Sequence, residues 1–563
     1  MTDFFSQEKV LLRILKEKLD PKLYEYAISN LEKFYEKCYR EFDVRAAYTD
    51  RDGQPKLIKY NKYGEEINEI WVNDGYSKTV RDTYQTGIVA YVHKEIPKLG
   101  QKGNYVYSYA QGYLLSQVEP GFYCPVTLTM AVAYLIDKYA DDELKERFLP
   151  HVLSTGEVEL YEGATFLTER QGGSDVGANV VKAVKNGEHY TLYGEKYFAS
   201  NAGQCGVAAV LARIDGNIKG TKGLSLFLVP WRKEDGSLNG IRVRRLKDKL
   251  GVRAVPSAEI VFDGAISYLL GDAEKGFYYM MEALNLSRVC NAVASVGIMK
   301  RALKESLEYA NKREAFGHKI IDYPMVKTTL AQMQAIFEVQ LSALFESIEL
   351  FDYVMENGEF ATSDQMALNR LNIALLKAKT ADEAIQFSHE AIEMHGGNGY
   401  IEDFVTPRLL RDAQVLTVWE GTANILGLEV LRLIKKYKVH QLFFNKIESE
   451  LHQSDFDYQY KQLIQTKILN LKEAINNLET QHEYVQSYHA KRIANAMVEL
   501  HLAVHAICRV QTLRDKMVAQ IFINHLYGES LLDLEMVEIN HFEEIMMMND
   551  LTDNNKDSIQ MEN

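Results

Sequence analysis

Cysteine, proline and tryptophan are scarce here, numbering five, ten and three among 563 residues. The cysteines (Cys38, Cys124, Cys205, Cys290 and Cys508) are odd in number, widely spaced and form no C-x-x-C pair. That excludes a disulfide framework and a zinc ribbon and fits a reducing compartment. No stretch approaches the roughly 18 uninterrupted apolar residues that a bilayer span needs. The N-terminal residues lack a cationic segment followed by an apolar run and a cleavage site, so a cytoplasmic protein is expected. Positive charge is also in short supply: the net charge is −14, which argues against a general affinity for nucleic acid or anionic membranes.

What is present is material for several cores, since 47% of the residues are hydrophobic and a domain takes about 150 residues. Apolar residues recur at helical spacing through residues 1–160, as in Tyr24, Ile28, Leu31 and Tyr35. The turn chemistry of Asp52-Gly53-Gln54-Pro55 and Lys62-Tyr63-Gly64-Glu65 interrupts this with a surface hairpin. Across 161–272 the pattern turns strand-like. His189–Tyr193, a two-residue Gly194-Glu195 turn and Lys196–Ser200 read as a hairpin, with further strands at 207–212, 224–229 and 258–262. Residues 273–438 return to helices at about 277–312, 325–357, 362–395 and 422–437, most economically an antiparallel four-helix bundle. Residues 439–563 add a helical region and a polar tail from 549 onward. The expected fold is mainly α with a β-domain: an N-terminal helical domain, a central antiparallel β-barrel or sandwich, and the bundle with its extra region.

Four stretches carry chemistry. Glu420 follows an apolar run and precedes Gly421 and a helix start, so its carboxylate projects from a turn where a ligand can approach the backbone; this suits a general base. An acidic residue favoured by the helix dipole, with Thr422 as cap, is the alternative. Thr168–Val176, with Gly172 and Gly173, can present amides to a phosphate or heterocycle, or be a plain turn; it is not a G-x-G-x-x-G fingerprint and no βαβ unit surrounds it. Glu393–Tyr400 ends a helix with more glycines than a cap needs, and His395 has no partner at metal-ligand spacing, so no metal site is expected. Arg313 offers a fork for a diphosphate but equally suits a helix end, as does Arg288.

Six collinear segments together resemble the acyl-CoA dehydrogenase family: L-T-E-R-Q-G-G-S-D at 167–175, E-K-Y-F-A-S-N at 195–201, K-L-G-V-R-A at 249–254, N-K-R-E-A-F-G at 311–317, H-G-G-N-G-Y at 395–400 and W-E-G-T-A-N-I at 419–425. The form of the first, with Val118–Thr127 upstream and the added C-terminal region, looks closest to the branch that includes the bacterial alkylation-response flavoprotein. The resemblance implies FAD at the junction of β-domain and bundle, an acyl-CoA substrate, electron-transfer flavoprotein as acceptor, and a homotetramer or homodimer. Carried over by position, Glu420 is the base. Thr168 hydrogen-bonds the flavin, Ser174 lies near FAD or the acyl-CoA, and Phe198, Ala199 and Ser200 line the flavin ring. Arg313 and Phe316 reach FAD from a neighbouring subunit, Glu393, Gly396 and Gly397 lie near its diphosphate, and Thr422 and Asn424 complete the cofactor site. Ser174, Arg288 and Gly421 are the substrate-side residues.

Phe198 stands where many members have tryptophan, Ser200 where many have threonine, and Pro324 where many have a polar FAD contact. Ser287 occupies the position where some members carry the base, a role serine cannot take. The implied reaction is dehydrogenation of a medium-to-long fatty acyl-CoA to the trans-2-enoyl-CoA, as in β-oxidation. A DNA-associated protective flavoprotein and an acyl-CoA oxidase are the alternatives. The first would want a basic C-terminal region, but residues 441–563 hold 10 Lys and Arg against 19 Asp and Glu.

Overall fold

A computed structural model describes residues 4–216, 218–358, 360–528 and 535–547; the polar tail expected from 549 lies outside them. The chain forms two compact units, one of residues 1–297 with 414–416 and the other of 298–413 with 417–563.

The first unit opens with helices whose starts are written in the sequence. Asp20 accepts from the amides of Lys22 and Leu23 ahead of Pro21–Lys37, with proline at the first helical position where no amide is missed. Asn73, Asn104 and Asp141 cap Asp74–Tyr84, Tyr105–Ser116 and Asp142–Val152 in the same way. The hairpin expected near residue 60 is present as β1 (Lys56–Tyr60) and β2 (Glu66–Trp71). A two-residue pair, β3 (Glu95–Ile96) and β4 (Gln101–Lys102), follows. Tyrosines do much of the core filling: Tyr35, Tyr107, Tyr109, Tyr113 and Tyr123 are fully buried.

Strands β5 (Glu162–Phe166), β6 (Lys182–Asn186), β7 (His189–Ser200), β8 (Cys205–Ile214), β9 (Leu224–Pro230), β10 (Ile241–Leu246) and β11 (Ser257–Leu269) make one sheet. Its pairings β11–β7–β6–β8–β9–β11 close a five-stranded ring, with β10 added beside β11 and β5 beside β8. The barrel is therefore as expected, but its pairing is mixed: β8 runs parallel to both β6 and β5. An odd-numbered ring cannot alternate direction throughout, so closure forces at least one parallel neighbour. Phe166, Val181, Leu192, Val210, Phe227, Val229, Ile260 and Phe262 fill the interior, each contributing about 1.5–3 kcal/mol by leaving water.

The expected Gly194-Glu195 hairpin turn is corrected. Residues 189–200 are one continuous strand paired along β11, and Gly194 (φ 130°) only bends it. The hairpin turn lies seven residues earlier in the chain, at Gly187-Glu188 between β6 and β7, where Asn186 pairs with His189 and Gly187 has φ 63°.

The second unit holds the later turns of the Gly276–Lys312 helix with Pro324–Glu356, Ser363–His395 and Ala423–Tyr437, within two residues of expectation. Thr362 and Gln365 form a capping box at the start of the third. The added region packs on this bundle: Glu483–Cys508 lies against Ala423–Tyr437, and Leu513–Tyr527 against Pro324–Glu356. Arg514 grips buried Glu338 on Pro324–Glu356 and donates to the carbonyls of Glu544 and Ile545. Among the described residues no helix is long and apolar enough to cross a membrane.

Candidate active site

In the first unit, β5 leads into the Thr168–Asp175 loop. Gly172 (φ 109°) turns the chain back, its amide donating to the Glu169 carbonyl at 3.0 Å. A side chain at Gly173 would stand 2.7 Å from the Thr168 hydroxyl, so only glycine leaves that hydroxyl room. Ser174 is exposed.

Opposite this loop β7 carries a bulge. Ala199 pairs with Ala258 and Lys196 with Ile260, so Tyr197 and Phe198 together face the single residue Glu259. The bulge turns Phe198 outward, 51% exposed, while Lys196 and Ala199 on either side are buried. Of the three residues assigned to the flavin ring, Phe198 is thus exposed and Ser200 partly so, its hydroxyl 3.2 Å from that of Ser257. Ala199 has its methyl in the barrel core, leaving only backbone for a ligand. The Lys247 ammonium lies 3.2 Å from the Tyr197 ring centroid and 4.7 Å from that of Phe198.

Two further features belong to this unit. Arg288 is partly buried and donates to Asn285 Oδ1 at 3.0 Å, beside buried Ser287. Glu162, at the start of β5, is fully buried and receives the Tyr84 hydroxyl at 3.2 Å; burial pushes its carboxyl up to about 8.

Glu420 belongs to the second unit and follows the end of the Thr406–Leu416 helix by four residues. The turn reading holds, and Glu420 and Gly421 both have positive φ, 58° and 102°. A non-glycine residue held left-handed costs free energy and tends to persist where surrounding structure imposes it. Part of that constraint is Lys377, buried on Ser363–His395, whose Nζ donates to the Gly421 carbonyl at 2.7 Å. The carboxylate's Oε2 is shielded from solvent. Thr422 occupies the N-cap position of Ala423–Tyr437, but its side chain makes no capping hydrogen bond; with Asn424 it is exposed.

Arg313 ends the Gly276–Lys312 helix, exposed, and the chain then makes a two-residue hairpin, β12 (Glu314–Ala315) with β13 (His318–Lys319). Phe316 and Gly317 form its turn with φ 52° and 85°, and the phenyl ring is 96% exposed. Pro324 opens the next helix at its first position. Gly396 (φ 59°) ends Ser363–His395, and neither it nor Gly397 has an atom within 4 Å of where a Cβ would stand. Glu393 is exposed beside them, whereas His395 is a core residue, its Nδ1 2.7 Å from the Ala391 carbonyl and its ring against Tyr309. His389, Glu390 and Glu393 are the one trio among the described residues close enough to share a cation; they are solvent-facing neighbours on one helix and nothing else marks a site.

Taken unit by unit, the first offers an outward aromatic beside a glycine loop, and the second an uncrowded diglycine, an exposed arginine and a threonine hydroxyl not used for capping; each is of a kind that a flavin dinucleotide can use. Sequence reasoning missed Glu169, Lys196, Glu162 and Lys377 as individuals. The available signal was a charged residue inside an otherwise apolar strand or helix, as in Leu375-Leu376-Lys377-Ala378.

Residues 2–156 match the adaptive response protein AidB N-terminal domain, 164–265 the acyl-CoA dehydrogenase middle domain and 274–434 the acyl-CoA dehydrogenase C-terminal domain. The chain is 32% identical to acyl-CoA dehydrogenase family member 11 of Caenorhabditis elegans over 79% of its own length and 73% of the relative's. It is 31% identical to AidB of Escherichia coli strain K12 over 68% and 69%. The crystal structure of C. elegans ACDH-11 in complex with C11-CoA superposes with a TM-score of 0.85 at 27% identity, covering 98% of this chain and 96% of that one. With three collinear domain matches and relatives aligned over more than two thirds of their length, the chain belongs to the acyl-CoA dehydrogenase family, whose members are FAD-dependent oxidoreductases acting on acyl-CoA.

Proposed function

We propose that the protein removes the α-proton and β-hydride of a fatty acyl-CoA thioester, giving the trans-2-enoyl-CoA, with Glu420 as the base. The observation that carries this reading is the Glu420 turn: a carboxylate in the left-handed region, followed by a glycine whose carbonyl is held by a buried lysine. Bound FAD supplies the hydride acceptor. The α-proton of a thioester is weakly acidic, so the chain's own part is to aim the Glu420 carboxylate at it and to stabilise the developing enolate oxygen with hydrogen bonds. Thr168, Ser174, Phe198 and Ser200 are the proposed cofactor contacts in the first unit, with the Ala199 backbone. Arg313, Phe316, Glu393, Gly396, Gly397, Thr422 and Asn424 are those in the second. Arg288 and Gly421 serve the substrate.

A medium-to-long acyl chain, electron-transfer flavoprotein as acceptor and a homo-oligomer in the cytoplasm complete the reading. The C. elegans relative crystallised with C11-CoA supports the chain length. The test is anaerobic mixing of the flavin-loaded protein with saturated acyl-CoAs of graded length, following flavin absorbance. Bleaching that depends on chain length and slows about 10²–10⁴-fold in Glu420→Gln is the expected result. A flavin that no thioester reduces would overturn it.

The match of residues 2–156 to an adaptive-response domain favours testing a second, DNA-associated role. The acidic C-terminal region opposes it, and duplex binding with a steep salt dependence would be its signature.

A further inference from the structure

Among the described residues of the β-domain, Lys196 and Glu169 are the most deeply placed ion pair. Their side chains are 0% and 4% exposed, with Nζ to Oε1 at 2.9 Å. Desolvation draws the Lys196 ammonium below the usual lysine range, and Glu169 opposes that shift. A buried ion pair is a poor source of stability, because apolar residues of the same volume often do as well or better. What distinguishes this pair is where its hydrogen bonds land.

Lys196 Nζ also donates to the Leu167 carbonyl at 3.1 Å, and the next amide, Tyr197 N–H, donates to the Thr168 carbonyl at 2.9 Å. Three consecutive residues centred on Thr168 are thus tied to the two that begin the Phe198 bulge. Glu169 then locks the far side of the loop, accepting from the amides of Val180 (2.7 Å) and Val181 (3.2 Å). Asn179 closes the circuit by donating to the Leu167 carbonyl and accepting from Gln171.

We propose that the Lys196–Glu169 pair is the positioning element that sets Thr168 and Phe198 at the spacing the flavin requires. The inference rests on the flavin reading above and concerns how the cofactor is held, not how it is reduced. Neither residue touches the cofactor; both act through the loop and the bulge. An apolar pair could fill the same volume, but it would leave the Leu167 carbonyl and the two valine amides without charged partners, so the loop could settle at another distance from β7.

The experiment compares Lys196→Met, Glu169→Gln, the double variant and Lys196→Arg in the full-length protein. The readouts are FAD affinity by equilibrium dialysis, visible circular dichroism of the bound flavin, its reduction potential, and urea stability of the apoprotein. Each single variant is expected to bind FAD at least about tenfold more weakly and to change the visible spectrum, since displacements near 1 Å can cost on the order of 10²-fold at a reacting centre. The double variant should regain apoprotein stability without regaining the spectrum or the affinity, and Lys196→Arg should recover part of both. If stability and flavin properties return together in the double variant, or if a folded single variant keeps wild-type affinity and spectrum, the pair is merely structural and the proposal fails. Should the single variants not fold, the double variant and Lys196→Arg decide it by the same readouts. Because FAD binding is measured without substrate, a wild-type protein that no acyl-CoA reduces would sink the dehydrogenase reading and leave this result intact.

Discussion

Replacing Glu162 by glutamine should shift the stability of the first unit increasingly in the variant's favour as pH rises. Glu162 is enclosed by the Asp74–Tyr84 and Pro120–Tyr139 helices: Tyr84 donates to it at 3.2 Å and also meets Thr129 Oγ1 at 2.7 Å, while Thr129 takes the Gly163 amide at 2.8 Å. Burial, only partly offset by the Tyr84 hydrogen bond, raises the carboxyl from 4.5 to about 8. An acid whose pKa is raised on folding contributes its stability fully below the unfolded value and loses it as pH climbs through the folded one. Between pH 4.5 and 8 the folded state binds more protons than the unfolded chain, so the wild type weakens across that window. With about 1.36 kcal/mol per pKa unit, the loss amounts to roughly 1 kcal/mol at pH 5, 3 at pH 7 and 4 at pH 8. Tyr84 and Cys205, both raised by burial, titrate above this range and do not blur it. Glutamine keeps an acceptor for Tyr84 and cannot ionise. Its extra amide donor adds an offset of about 1–3 kcal/mol if unmet, but that offset does not vary with pH. The assay is urea denaturation of both proteins at pH 5, 6, 7 and 8, with hydrogen exchange on peptides from residues 120–139 to assign the change to this unit. The gap should widen by about 3 kcal/mol from pH 5 to 8; parallel curves would refute a neutral, desolvated Glu162.

The second unit should respond to pH in the opposite sense. Burial, with help from Lys446 and His505, lowers His501 to about 3, so stability is present above the unfolded value of 6.5 and lost as pH falls. His501→Leu is therefore expected to avoid about 1.5–2 kcal/mol of the wild-type loss between pH 6.5 and 5, measured by exchange in residues 483–508. Lys377→Met removes the donor to the Gly421 carbonyl; we expect retained FAD, a kcat on the order of 10–10²-fold lower and a smaller change in KM, and unchanged kcat in steady-state assays would remove Lys377 from the positioning of Glu420.

Periodicity sufficed for the long helices because each buries a continuous apolar stripe, and local chemistry sufficed for their starts, as at Asp20, Asn73 and Thr362. It failed at Gly194. A glycine followed by a charged residue reads as a hairpin turn at Gly187-Glu188 and at Gly194-Glu195 alike, and only pairing with β11, which carries the strand straight through Gly194, separates the two. The parallel pairing of β6 with β8 was equally invisible, since direction within the ring is set by closure and no residue encodes it.

The functional residues divide along the same line. The amino-acid order alone put Glu420 in a turn before a helix, placed Gly421 where the backbone must open, and set six short segments in the order that marks the family, because these are properties of residues a few positions apart. Only the folded chain put Glu420 in the left-handed region under Lys377, turned Phe198 outward on a bulge while burying Ala199, and drew Lys196 to Glu169 across 27 residues. Those outcomes depend on which distant backbone or charge shares a dry interior with each group, and that partner is chosen by packing.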